Sequence, residues 1–553
     1  MTSSHSSDAA HEGSQASEPG IDASEVTSTS SAAARTGGHL RGNALGLPAV
    51  LFLCIAAIAP AASMLFNVPV MASQAGSSTP LAFVLSSVGV LLLGIPVVLF
   101  ARHLSSAGGF TTWVRHGLGT MAAFQVGWLM LGAYALFEAA LQATVGASLD
   151  LNLATFFGIH VPGGWVTYAL VLTLVVCVLS ILDVQVALWV MAPFAVAEVL
   201  GLCLLNLAIT LKGGAAGHDL AHTFTVVGAT QQGVVPGGWL GIGLSMGLGL
   251  LAFVGFETGA VYGEEARRPH WSIPLAVFSL LIGLALLYTW TAYSATIGVG
   301  WQQAGKVLGD VANAPGQYIT LATTYVGSWL GVALIVLVMT SNFASSFAMH
   351  QAMVRYFYAL GREGIVPRAF GRTHPKWQSP YLAIFAQSGF TVLVLLALSL
   401  IIQHANRDGS VIYALGIASG TQWQQSGGIV AFGWLASIVT MCLLVVYLLT
   451  NIAALRFARR KHRVQGVLPV LGYVVAPIVS SLLLLLPLAS YVLPPLPGIG
   501  RIVTEMGFAP TPFPLSILPL FVLVWVLIGQ VYAMILKRRA PEHFERLGTV
   551  ISQ

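Results

Sequence analysis

Charge is what this sequence has least of: aspartate, glutamate, lysine and arginine make up 8% of its 553 residues, against about 25% in a soluble globular chain. With 56% hydrophobic residues, it cannot clothe itself in polar surface, which excludes an ordinary soluble domain. Cysteine is also scarce. Cys54, Cys177, Cys203 and Cys442 all fall in apolar segments, and none has metal-ligand or redox-pair spacing, so they read as small packed side chains. The chain lacks a G-x-x-x-x-G-K-[ST] nucleotide loop and an H-E-x-x-H zinc helix. Those absences argue against an enzyme and against a pump that carries its own ATPase. The alternating ten-residue pattern of a membrane β-barrel is missing too. The formal charge of +5 comes from basic residues in short runs between apolar stretches rather than on one surface, so no nucleic-acid partner is expected.

What is present is a succession of uncharged apolar stretches of bilayer-crossing length, such as Leu81–Ala101, Trp165–Leu182 and Leu515–Leu536. They predict an all-α polytopic membrane protein embedded in the lipid bilayer. The pattern places twelve transmembrane helices, the first six near 45–73, 80–101, 120–148, 165–182, 186–211 and 239–263. The second six fall near 272–298, 318–358, 380–402, 429–456, 467–494 and 513–536.

Basic residues test that count, because each span reverses the side of the next loop. Arg102 and Arg115 follow span 2; Arg267 and Arg268 follow span 6. Arg355, Arg362, Arg368, Arg372 and Lys376 follow the core of span 8, and Arg456, Arg459, Arg460, Lys461 and Arg463 follow span 10. Lys537, Arg538, Arg539 and Arg546 follow span 12, Arg35 and Arg41 precede span 1, and the opposite loops carry only Lys212, Lys306, Arg407 and Arg501. The alternation predicts a multi-pass protein of the cytoplasmic membrane with both termini cytoplasmic. Residues 1–40 read as a disordered polar tail, 41–460 as the main helical body, 461–540 as two further helices and 541–553 as a C-terminal tail.

Two spans carry interruptions in corresponding positions, and transporter sites are commonly built where such paired breaks expose backbone groups. In span 1, Ala56–Ser63 reads AAIAPAAS, with Pro60 among small residues. Proline lacks an amide donor and clashes with the preceding helical turn. In span 6, Phe253–Ala260 reads FVGFETGA, with Gly255 and Gly259 flanking Glu257 inside an apolar stretch. Taken singly, each also reads as a proline kink or a glycine packing pair. Their matched positions point to Ala59, Pro60 and Gly255 as part of one binding site.

The residues from Phe253 to Pro274, FVGFETGAVYGEEARRPHWSIP, resemble the sixth helix and following loop of the amino acid–polyamine–organocation permeases. The stretch His350–Pro380, with its ALGREG string and later prolines, is similar to that family's eighth helix and cytoplasmic loop. Ala107–Tyr134, opening AGGF and running into GW and AY, resembles the loop before its third helix. The resemblance covers roughly residues 45–460.

It implies a five-plus-five inverted repeat of the leucine-transporter type, two peripheral helices, and alternating access around a central site. It also implies that a zwitterionic substrate places its carboxylate on the amides of Ala61, Ala62 and Ser63, since a half-helix N-terminus is an anion site. The ammonium and side chain would take Phe253, Val254 and Phe256, with Tyr134 a further contact. Many relatives have a glycine-rich first break, whereas here Pro60 stands between alanines.

Ionisable groups at membrane depth are costly, and Glu138, Glu198 and Glu257 are the acids that qualify. Each reads either as a coupling or gating group or as a neutral acid bridging helices; Glu257, in the break itself, is also a substrate-binding candidate. Asp183, near a helix end, reads as solvated. Some proton-coupled relatives use a lysine where this chain has Gln185. Asn342, Ser345 and Ser346 share one side of span 8. In sodium-coupled transporters with this repeat, hydroxyls similar to Ser345 and Ser346 form a sodium site; serines capping their own helix are the plainer reading. His350 reads as an interhelical hydrogen-bonding residue. Glu264, Glu265, Arg267 and Arg268 mark a charged cytoplasmic mouth. No cofactor is expected, and the coupling ion is a proton or sodium. The function this predicts is secondary active transport, by symport or exchange, of a small-molecule substrate, an amino acid. An amine such as ethanolamine or a polyamine is the alternative, and a transporter-like nutrient sensor a more distant one.

Overall fold

The structure is a computed structural model. It describes residues 46–103, 109–159, 161–181, 184–231, 234, 237–257, 269–311, 314–374, 377, 379–405, 411–413, 427–461, 467–496, 498, 501–502 and 515–547. The chain divides into Met1–Gly38, outside those residues, and His39–Gln553, which holds every element below.

The first expected span is two helices. α1 (Leu47–Ile58) ends at Ala59, and α2 (Pro60–Ala75) begins at the next residue. Helices α3 (Thr79–His103), α4 (Phe110–Leu118), α5 (Thr120–Phe157), α6 (Trp165–Ile181), α7 (Val184–Lys212) and α8 (Gly238–Leu251) follow. Beyond the second break come α9 (Pro269–Val299), α10 (Gly316–Tyr325), α11 (Ser328–Glu363) and α12 (Tyr381–Ile401). The chain closes with α13 (Gly427–Lys461), α14 (Val467–Val470), α15 (Ala476–Val492), α16 (Leu518–Arg539) and α17 (Pro541–Arg546).

Among the described residues, nine helical stretches are long and apolar enough to cross a membrane. One of them, Val50–Val98, runs 49 residues, so it is folded back at the turn Gly76–Ser78; Trp165–Ile181 and Gly238–Leu251 are shorter apolar helices. The outward faces carry the signature of a lipid solvent, with Leu200, Leu286, Leu393 and Leu482 all more than 60% exposed. So large an apolar exterior would be an aggregation hazard in water.

Several boundaries differ from the hydropathy reading. The stretch expected as span 8 is broken after Tyr325, where Gly327 takes a φ of 144° that only glycine adopts readily. The loop expected before span 3 contains α4, whose Phe110, Trp113 and Val114 are buried. The all-α expectation has a small exception in an antiparallel pair, β1 (Ile402–Ala405) with β2 (Val411–Tyr413), which joins Ile402 to Tyr413. At the C-terminus, the described part of the expected tail is folded: Phe544 and Leu547 are buried with Phe124, Leu360 and Ile365. Arg115 also donates from Nη1 to the Leu547 carbonyl at 2.7 Å.

The first break is surrounded by α7, α9 and α11, all packed against α1, while α8 lies along α2. A single continuous apolar core runs through these helices. It includes Ala57, Ile58 and Leu65 from the first break region, Phe253 and Phe256 from the second, and Tyr134 and Tyr447 from α5 and α13.

Candidate functional site

The first break follows from Pro60. A residue before proline is pushed out of the α region, and Ala59 adopts φ 51°, ψ 73°, the sole non-glycine residue with positive φ among those described. A left-handed alanine costs about 1–2 kcal/mol. Strain of that kind persists only where surrounding structure enforces it, and it gathers at functional sites. The loose carbonyls at the end of α1 are taken up locally. Ala59 N–H donates to the Ile55 carbonyl (2.9 Å), Ser63 Oγ donates to Ile58 (2.7 Å), and Ser345 Oγ on α11 donates to Ala57 (2.6 Å).

The second break begins where α8 stops. From Ala252 to Glu257 the chain is a run of turns: Phe253 and Val254 donate to carbonyls three residues back, and Phe256 donates to Phe253 at 3.2 Å. Gly255, at φ 113°, turns its amide onto Glu257 Oε2 at 3.1 Å. The other carboxylate oxygen accepts from the Tyr134 hydroxyl at 2.9 Å, and both side chains are buried. Phe253, Val254 and Phe256 are buried as well.

The two breaks touch backbone to backbone. A Cβ placed on Gly255 would lie 2.9 Å from Ala57 Cβ and 3.0 Å from the Ala57 carbonyl carbon. Cys54 Sγ, one turn before the break, points its weak donor at the Phe256 carbonyl (3.9 Å). The two breaks thus approach each other at Ala57 and Ile58 on one side and Gly255 on the other.

The amides expected to be open are not free in this conformation. Ala61 N–H donates to Glu198 Oε2 at 3.3 Å, Ala62 N–H to Ser341 Oγ at 3.3 Å, and Ser63 N–H to the Ala59 carbonyl at 2.8 Å. Ser341 in turn donates to the same Glu198 oxygen at 2.6 Å. Glu198 therefore belongs to the first break. Ser341 was missed, although it lies one turn from Ser345 on the face of α11 that meets α1 and α2.

Beside the break, a cavity of about 20 Å³ is lined by residues that include Ala59, Ser63, Asn67, Phe137, Asn342 and Ser345. Ligand sites measure about 300–1,000 Å³, so the chain is closed around this point. Asn67 Oδ1 and Asn342 Nδ2 have no hydrogen-bond partner among the described residues, nor does the Ser346 hydroxyl. Asn67 escaped the sequence reading because a lone polar residue in a small-residue helix carries no periodic signal.

Glu138 joins a different network. Its Oε1 accepts from Gln142 (2.8 Å) and meets His350 Nδ1 at 3.0 Å, while its Oε2 accepts from Gln387 at 2.7 Å. Gln142 also accepts from Thr173. These contacts tie α5 to α6, α11 and α12, and none reaches a break. Loss of one partner from a buried pair leaves the others unpaired. Glu138→Ala is expected to lower folding stability by about 3 kcal/mol, read as a depressed thermal midpoint of the purified protein.

Among the described residues, no group of three or more His, Cys, Asp and Glu side chains is gathered as for a metal. Gly259, Glu264, Glu265, Arg267, Arg268 and Asp183 lie outside the described residues, as does the side chain of Gln185.

Comparison with known proteins bears on this arrangement directly. The family profile described as amino acid permease matches residues 45–528, spanning both breaks and nearly every helix. The chain belongs to the amino acid permease family. Individual relatives are distant. An uncharacterized transporter of Rhizobium meliloti is 26% identical over 285 residues, 51% of this chain and 57% of its own. The branched-chain amino acid permease of Bacillus subtilis is 25% identical over 329 residues, 56% of this chain and 66% of its own. The methylthioribose transporter of Bacillus subtilis is 22% identical over 428 residues, covering 74% and 80%. The chain thus spans between half and two thirds of the length of the first two relatives. The nine apolar stretches of membrane-crossing length among the described residues agree with a multi-pass membrane protein of this permease family.

Proposed function

We propose that this permease is a secondary transporter that carries a small ammonium-bearing solute, an amino acid or a related amine, by alternating access around the two breaks. The reading rests on one observation above the others: the helix interrupted at Ala59–Pro60 meets the turns that end α8, Ala57 against Gly255, with the buried acid Glu257 beside the junction. Glu257 and the Phe253, Val254 and Phe256 carbonyls are acceptors suited to an ammonium, and a carbonyl engaged once still has a second lone pair. The small cavity beside Ala59 supports alternating access, because a solute enters only if the helices around it part. Twelve spans, a five-plus-five repeat and cytoplasmic termini in the cell membrane complete the proposal. The named relatives act on branched-chain amino acids and on methylthioribose, which fits a family whose scaffold tolerates varied solutes.

The test is uptake by the purified permease in liposomes, across a panel of amino acids and amines. Accumulation of at least one ammonium-bearing solute is expected; a panel with no flux overturns the reading.

The same assay addresses the driving ion. A sodium site would draw on Ser345, Ser346 and the Ala57 carbonyl, and oxygen donors suit a hard cation. Ser345 already donates to that carbonyl. Two buried carboxyls at the breaks favour the proton instead. Uptake is expected to follow an inward proton gradient and to be unchanged when sodium is replaced by potassium. Sodium-driven flux abolished by Ser345→Ala with Ser346→Ala would reverse that assignment.

A further inference from the structure

The N-terminus of α2 already holds a carboxylate. Glu198, buried on α7, reaches across to the first free amide of the helix at Ala61, and Pro60 before it has no donor to give. Ser341 holds the same oxygen from α11 and accepts from Ala62, so one acid and one hydroxyl consume both amides. Ser63, the third donor of the first turn, is spent on Ala59. A half-helix N-terminus presents a partial positive charge that favours an anion. Here the protein supplies that anion itself.

A second observation concerns charge balance. The acids at the two breaks, Glu198 and Glu257, make no ion pair with a basic side chain among the described residues. Tyr288 is fully buried on α9, with its hydroxyl beside Ser63. Glu198 is its charged neighbour. The surroundings of the first break therefore hold a resident carboxyl group, and no ion-paired cation among the described residues.

We propose that Glu198 is a specificity-determining residue: its resident carboxylate occupies the seat that a substrate carboxylate would need, so this permease selects amines over the corresponding amino acids. The inference rests on the ammonium-solute reading above and narrows it. A zwitterion would bring a second carboxyl group to donors already spent on Glu198 and Ser341. An amine without a carboxylate brings only the cation that the two acids lack. Selection of this kind is built as much on excluding the wrong ligand as on attracting the right one.

Matched pairs of solutes test it: leucine against 3-methylbutylamine, serine against ethanolamine, and ornithine against 1,4-diaminobutane. Each pair differs by one carboxylate. Binding to the full-length purified permease is read by thermal shift and by competition for uptake in liposomes. In the wild type, the amine of the accepted pair is expected to bind at least about tenfold more tightly than its amino acid. Glu198→Ala, which vacates the Ala61 amide, is expected to move that ratio at least about tenfold towards the amino acid. Ser341→Ala, which keeps the carboxylate, is expected to leave the amine ahead.

Wild-type preference for the amino acid, or a ratio that Glu198→Ala does not move, overturns the assignment while leaving the transport reading intact. Binding of neither member of any pair overturns both. The wild-type ratio decides the matter even if Glu198→Ala does not fold.

Discussion

Gly255→Ala is expected to reduce uptake by at least about a hundredfold while the protein still reaches the membrane. The residue stands at φ 113°, where any side chain is strained at a cost of about 1–3 kcal/mol. The new methyl group would lie 2.9 Å from Ala57 Cβ, 3.0 Å from the Ala57 carbonyl carbon and 3.1 Å from the Ile58 nitrogen. Two of those atoms are backbone, and they belong to the last turn of a helix pinned by the Ala59–Pro60 break. That turn cannot slide aside without disturbing the Ser345 contact to the Ala57 carbonyl. Overpacking adds about 1–3 kcal/mol, so the junction is expected to open by a few tenths of an ångström and lose its register. Gly389→Ala and Gly433→Ala serve as controls, since a Cβ at either position meets nothing within 4 Å. Uptake normalised to the amount of protein in the membrane checks the prediction. A Gly255→Ala protein with ordinary uptake would mean that the breaks do not need their close approach.

Much of this architecture was legible because the bilayer simplifies the code. A run of apolar residues has one stable solution in lipid, the helix, and its length fixes whether it crosses. Pro60 announced its break by chemistry alone, and Gly255 with Glu257 announced the other. What sequence could not carry was the pairing of distant groups. Glu198 lies 137 positions from the Ala61 amide and 143 from Ser341, and no local pattern joins them. An acid in an apolar helix says that a partner exists, not which one. For the same reason Glu138 read as a coupling candidate equal to Glu198, although its hydrogen bonds run to Gln142, His350 and Gln387 rather than to the breaks. The split between α10 and α11 was hidden by hydropathy, which stays apolar through a bend that Gly327 makes sterically easy.

Glu257 is where the two halves of the site meet in a way that transport kinetics can resolve. Glu257→Ala is expected to cut uptake about a hundredfold, because it strands two buried donors, the Gly255 amide and the Tyr134 hydroxyl. Each orphaned group costs about 1–3 kcal/mol, and a factor of one hundred corresponds to about 2.7 kcal/mol. Glu257→Gln preserves the shape and keeps both contacts, its amide oxygen accepting from Gly255 and its NH2 donating to the Tyr134 oxygen, but the charge that would attract an ammonium is gone. Its uptake is expected to fall nearly as far, through a weaker apparent affinity as well as a lower maximal rate. Tyr134→Phe removes one donor and leaves the carboxylate in place, and is expected to cost about tenfold. The decisive measurement is the double variant. If Tyr134 acts by orienting Glu257, the Tyr134→Phe change loses most of its effect once Glu257 is alanine, and the coupling exceeds about 1 kcal/mol. Fully additive losses would mean that tyrosine and acid serve the solute independently, and the orienting role of the α5 hydroxyl would have to be given up.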